Sequence, residues 1–255
     1  MKSARNKTEL KAKAAMCAAA LREELRLFDD MPISIHMTLR QKNVQALFQP
    51  MSDGISGMAV RVIDKNGNVL SFMTVNTNKA LGHQRFTACH ELYHLLYQEV
   101  FSSVKEKTAL FDEKDENEYV ADWFASYLML PKGGLERSVP LSEQHKNGIS
   151  VGTLLQAEQR FRCSRAMLLF RLKDLGWIDE KGYDDLSHNV IRSAMSHGYP
   201  IELYEKTGKE EFVGNYNIKA RQLFEQGRIS QAKYYQLLED IGVDLKTETE
   251  EDGEL

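Results

Sequence analysis

The sequence predicts an α+β fold, mostly helical around a small antiparallel sheet, and three observations lead to it. Two β-rich runs, Met58-Ala-Val-Arg-Val-Ile63 and Val69-Leu-Ser-Phe-Met-Thr-Val75, flank Asp64-Lys-Asn-Gly-Asn68, and Asn-Gly is the strongest short hairpin signal. Long stretches on both sides are rich in helix formers, with apolar residues three and four apart. Downstream, Ser150 to Leu172 reads as helix, short turn and helix, and Asn215 to Ile241 as a helical hairpin.

In chain order, residues from about Ser3 to Phe28 lack Gly and Pro and predict one long exposed helix, which Asp29-Asp-Met-Pro32 stops. Its basic start, Lys2 to Lys13, followed by Ala14 to Leu21, faintly imitates a signal peptide. Glu9 interrupts that basic region, however, and Arg22-Glu-Glu-Leu-Arg26 continues the chain as mixed-charge helix, so no secretion signal is expected. A second, shorter helix is expected over Thr38 to Phe48, before the turn signals at Pro50 and Gly54. The hairpin follows, and its edge is expected to accept an extended peptide by strand addition. A loop over Asn76 to Gln84 then leads into a helix with Thr87 near its start as cap.

That helix contains His90-Glu91-Leu92-Tyr93-His94. Residues four apart lie almost above one another on a helix, so His90 and His94 share a face and can share one metal ion, with Zn²⁺ the usual occupant and Mn²⁺ the alternative. Glu91 sits about 100° further round, where its carboxylate can take a proton from zinc-bound water as general base. A catalytic zinc needs a third protein ligand and an open fourth position. On the amphipathic segment Glu118-Tyr-Val-Ala-Asp122-Trp-Phe-Ala-Ser-Tyr-Leu-Met-Leu-Pro131, Glu118 is the preferred ligand and Asp122 the acceptor for a histidine N–H. Glu113, Asp115 and Glu116 are rivals for the ligand role. Tyr93, Tyr97, Tyr119, Tyr127, His83 and His145 are all candidates for the donor that a tetrahedral oxyanion needs, and the sequence does not choose among them.

Residues 101 to 117 read as a charged connection, Pro131-Lys-Gly-Gly134 as the stop of the Glu118 helix, and the stretch to Gly148 as polar. The unit at 150–173 turns at Arg162-Cys-Ser164 and is locally basic through Arg160, Arg162, Arg165, Arg171 and Lys173. A helical hairpin packed on the core is preferred over a DNA reader, because the whole chain carries a formal net charge of −4. Residues 180 to 214 read as irregular, with a short strand near Ile201 to Tyr204. In the hairpin beyond, Gly227 acts as stop and Ser230 as cap, and the acidic run from Lys246 to Leu255 reads as disordered.

Composition agrees with a soluble globular protein: 255 residues, 42% hydrophobic and 27% charged. Three scattered cysteines give no disulfide framework and point to a reducing cytoplasm. No apolar run approaches the length of a membrane span, so no membrane partner is expected.

The motifs Arg85-Phe-Thr-x-x-His90-Glu-Leu-x-His94 and Glu118-x-x-Ala-Asp-x-Phe-Ala-x-x-Leu-x-Leu-Pro131 resemble the ImmA/IrrE metallopeptidases of bacteria, and the helix-turn-helix that follows is similar too. The resemblance covers roughly residues 57 to 178. It implies a zincin-like, gluzincin-type site with His90, His94 and Glu118 as metal ligands, Glu91 as catalytic base and Asp122 buttressing a histidine. It also implies a protein substrate, a helix-turn-helix transcriptional repressor of a mobile element or stress response. Two departures stand out. Tyr93 occupies a position where the family often has Gly, so packing behind the helix must differ, and the C-terminal region is too short for the sensor domain some members carry.

The expected organisation is therefore N-terminal helices over 1–50, a zinc metallopeptidase core over 51–140, a helix-turn-helix-like unit over 141–180, a helical appendage over 181–245 and an acidic tail over 246–255. The expected activity is metal-dependent endoproteolysis. Its rival is a non-catalytic antirepressor or toxin–antitoxin-like binding module with a structural metal. Direct DNA binding is the weakest reading.

Overall fold

A computed structural model describes residues 2–98, 104–105 and 115–242. The fold is α+β. Helix α1 (Lys2–Glu24) buries Ala14, Ala18 and Leu21, a stripe spaced four and three residues apart. That stripe packs on α4 (Glu116–Met129), so the first helix is less exposed than its mixed charge predicts. Lys11 reaches over the Trp123 ring at 3.8 Å and ion-pairs with Asp174 at 2.7 Å.

The expected second helix is a correction. Helix α2 (Ile35–Gln41) is short, and the residues after it form strand β1 (Val44–Gln49). Asn43 at φ 54° breaks the helix, and Val44, Ala46 and Phe48 then point alternately inward, the period of a strand rather than a helix. The hairpin forms as expected from β2 (Gly57–Ile63) and β3 (Val69–Asn76). Its turn is held by the Asp64 carboxylate, whose Oδ1 accepts from the backbone N–H of Asn66 and Asn68, with Gly67 at φ 82°.

The sheet has the order β4-β2-β3-β1-β5, with β4 at Val104–Lys105 and β5 at Glu211–Val213. It is mixed, not antiparallel throughout, because β1 runs parallel to β3. The hairpin edge expected to receive a peptide is partly occupied. β1 covers β3, and β4 pairs with Met58 and Ala59 of β2. Among the described residues, Gly57 and Val60 to Ile63 of β2 have no strand partner on the β4 side.

Helix α3 (Leu81–Tyr97) lies against β2 and β3. It starts six residues before Thr87, so Thr87 is an interior helical residue and not a cap. Beyond α4 the expected polar stretch contains α5 (Lys132–Ser138). Helices α6 (Val151–Phe161) and α7 (Arg165–Asp174) follow the helix-turn-helix expectation, with caps from Ser150 and Ser164. Their apolar faces join the same core as α3 and α4, through Leu154, Phe161, Leu168 and Leu172.

Residues 180–214 are more regular than their sequence reads. They form α8 (Glu180–Ser187), capped by Asp179, then α9 (Val190–Ser196), a 3-10 turn over Glu202–Tyr204 and β5. The strand expected near Ile201 is that turn. Helices α10 (Tyr216–Glu225) and α11 (Gln231–Glu239) make the final hairpin, with Gly227 at φ 67° and Ser230 capping. The expected acidic tail and most of the expected charged connection lie outside the described residues. No helix among the described residues is long and apolar enough to cross a membrane.

Candidate metal centre

α3 brings the two histidines onto one face at four-residue spacing, and α4 supplies the acids. His90 Nε2 lies 3.0 Å from His94 Nε2 and 3.1 Å from Glu118 Oε2, while His94 Nε2 lies 3.4 Å from Glu118 Oε1. One ligand atom from each residue falls within a 4.8 Å span. The histidines are buried, and Glu118 keeps 17% of its side chain exposed, so the cluster opens on the Glu118 side.

The other nitrogen of each ring decides what the cluster can hold. His90 Nδ1 meets Asp122 Oδ1 at 2.8 Å, and His94 Nδ1 meets Gln98 Oε1 at 2.5 Å. A carboxylate and an amide oxygen both accept, so each Nδ1 carries the hydrogen and each Nε2 presents a lone pair. Two bare nitrogens and a carboxylate, converging within about 3 Å of one another, repel unless a cation stands between them. The donor set therefore fits a divalent metal ion, with two imidazoles and one carboxylate as ligands. Among the described residues no fourth His, Cys, Asp or Glu joins the group.

Titration follows the same geometry. Burial pushes the His94 pKa below its usual value, and the neighbouring His90 adds to this against the opposing pull of Glu118 and Gln98. The shift favours the neutral ring that a ligand must be. Burial alone would raise the Glu118 carboxyl, but with the rings protonated, as they can be only without a metal, a hydrogen bond from His90 and the charges of both histidines outweigh that and hold it below the usual range.

Glu91 is 1% exposed, beside the ligand face of α3 and under the first residue of β2, Gly57. Of the rivals to Glu118, Asp115 caps α4 by accepting from Asn117 N at 2.8 Å, and Glu116 accepts from Asn6 at 2.7 Å. Glu113 lies outside the described residues. The six candidate oxyanion donors separate. Tyr93 and Tyr97 stack on each other, pack on Phe124 and face the α1 residues Lys13, Cys17 and Glu24. Tyr119 packs on Trp123, Tyr127 faces Arg171 and Asp174, and the His145 ring turns to its neighbour's carbonyl. His83 lies two turns before His90 and meets Ser56 Oγ at 2.9 Å. Burial and Lys79 lower the His83 pKa, and the Asp122 charge opposes them.

Sequence reasoning missed Gln98 and Gly57. Gln98 had a signal, since residues 90, 94 and 98 form one stripe at four-residue spacing, but no metal-ligand pattern calls for an amide there. Gly57 had none, because its contact with α3 is set by the packing of sheet on helix.

The comparisons with known proteins agree with this geometry. Residues 55–173 match the peptidase M78 family, described as an IrrE N-terminal-like domain. A search of curated proteins finds no match. The matched stretch contains His90, Glu91, His94, Glu118 and Asp122 together with the helix-turn-helix. Residues 55–173 of this chain thus belong to the ImmA/IrrE family of metallopeptidases.

Proposed function

We propose that the chain is a metal-dependent endopeptidase whose substrate is a helix-turn-helix transcriptional repressor. The observation that carries the peptidase reading is the convergence of His90, His94 and Glu118 beside a buried Glu91. The substrate class rests on the family resemblance. A divalent ion held there, zinc first and manganese second, supplies Lewis acidity toward the scissile carbonyl and acidifies the attacking water. Asp122 and Gln98 hold the two rings with Nε2 turned inward. Glu91 accepts the proton of the attacking water and delivers it to the departing amine nitrogen.

DNA reading by the helix-turn-helix finds little support. Arg165 is buried against Glu158, Arg171 bonds Leu130 O and Asp174, Arg160 reaches Asp30, and Lys173 reaches Glu180. Four of the five cations in that unit already face partners within the chain.

The test pairs elemental analysis with cleavage of neighbouring repressors by wild type and by Glu91→Gln. The expected result is about one metal equivalent in both proteins, with cleavage falling roughly 10²–10⁴-fold in the variant. Cleavage retained by Glu91→Gln sinks the assigned base. Metal-free wild type, purified without chelator, moves the binding-module reading to the front.

A further inference from the structure

A cavity of about 330 Å³ lies at the N-terminal end of α3, between α2, β1, β5 and the α6–α7 turn. Arg85, Arg162 and Lys209 line it, and the one carboxylate that lines it is Glu211. Arg85 donates from Nε to Arg162 O at 2.9 Å and from Nη2 to Ile33 O at 2.8 Å, both neutral acceptors. Burial lowers its pKa, the buried Cys89 and Cys163 thiols oppose this, the second guanidinium of Arg162 adds to it, and no carboxylate is among the groups that act on it. Among the described residues Arg162 and Lys209 have no ion pair either. Glu211 instead faces the His36 ring at 3.5 Å.

Two further observations mark the cavity as built for a ligand. Thr77 is 1% exposed, lines the same space, and its Oγ1 has no hydrogen-bond partner. Buried hydroxyls are ordinarily satisfied. Arg162 itself stands at φ 53°, a left-handed conformation that glycine adopts without strain, so the backbone gives no reason for an arginine there.

We propose that this cavity binds a small phosphate-bearing anion. Three permanent cations against one carboxylate leave two positive charges to be met, the charge of a phosphate monoester. Guanidinium forks match phosphate oxygens bidentately, with the Thr77 hydroxyl as a further partner. The space is concave and closed on several sides, which suits a solute better than the convex phosphate ridge of a duplex. A ligand there ties the first turns of α3 to the α6–α7 turn and to the segment entering β5. Arg85 and His90 are five residues apart, about 7.5 Å along the helix and on different faces, so the anion site is separate from the metal cluster. The inference does not rest on the peptidase reading.

The experiment is thermal unfolding of the full chain with inorganic phosphate against sodium chloride at matched ionic strength, with chelator present so that phosphate on a metal is excluded. The comparison is Arg162→Ala/Lys209→Ala, whose two side chains are exposed. The expected result is a saturable rise in Tm with phosphate in the wild type, with the half-saturating concentration at least about tenfold higher in the double variant. No rise beyond that given by chloride, or a rise that the double variant keeps unchanged, overturns the proposal.

Discussion

Gly57 approaches Glu91 so closely that a methyl group on its α-carbon would sit 3.2 Å from Glu91 Oε1. The same methyl would fall 2.5 Å from Thr87 Cγ2 and 2.9 Å from the carbonyl oxygen of Thr74. The Thr74 carbonyl belongs to the β2–β3 ladder and cannot yield, so relief must come from α3. Gly57→Ala is expected to destabilise the protein by about 1–3 kcal/mol and to displace the Glu91 side of the helix. Calorimetry beside metal analysis tests this: lower Tm, metal retained and cleavage reduced are expected. A variant that melts with the wild type contradicts the close approach.

Asp122 and Gln98 act on the metal only through the histidine rings. Asp122→Ala and Gln98→Leu are each expected to weaken metal binding by about 10–100-fold while leaving His90, His94 and Glu118 intact. Competition against a chelating indicator measures it. Wild-type affinity in Asp122→Ala would show that ring orientation is set by packing alone.

The Arg165–Glu158 pair is buried, at 4% and 0% exposure, and Tyr204 adds a hydrogen bond to the same carboxylate at 2.5 Å. Arg165→Met strands a charge in the core and is expected to cost about 3–5 kcal/mol. Replacing both partners, as Glu158→Leu/Arg165→Met, is expected to recover a large part of that loss. Chemical denaturation of the two singles and the double closes the cycle, and additive losses would mean that the two groups do not interact. It follows that lost DNA binding in an Arg165 variant would report unfolding, not a missing base contact.

The parts of the molecule legible in the sequence were those fixed by local chemistry. The hairpin follows from Asn66-Gly67 and its flanking runs, the His90–His94 face from helical spacing, and the Asp122 contact from an acid four residues after Glu118. β1 is not legible in the sequence because Val44-Gln-Ala-Leu-Phe-Gln fits both periods over so short a run. Its strand character comes from pairing with β3 and β5, partners remote in sequence. The short helices α8 and α9 were missed for a related reason. Each has eight residues or fewer, and much of what fixes them is tertiary, as when Arg165 donates to Leu186 O at the end of α8.

The sheet order has a consequence for anyone trimming the protein. The stretch that matches the peptidase family begins at residue 55, yet the strand beside β3 is β1, from residues 44–49, and the strand beside that comes from residues 211–213. An excised 55–173 fragment would lose both and leave the hydrogen-bonding edge of β3 bare along its whole length, a template for pairing with other chains. It would also shed α1, whose buried stripe covers α4. Family boundaries and folding boundaries do not coincide here, and a soluble minimal protease must keep both ends of the chain that clasp the sheet.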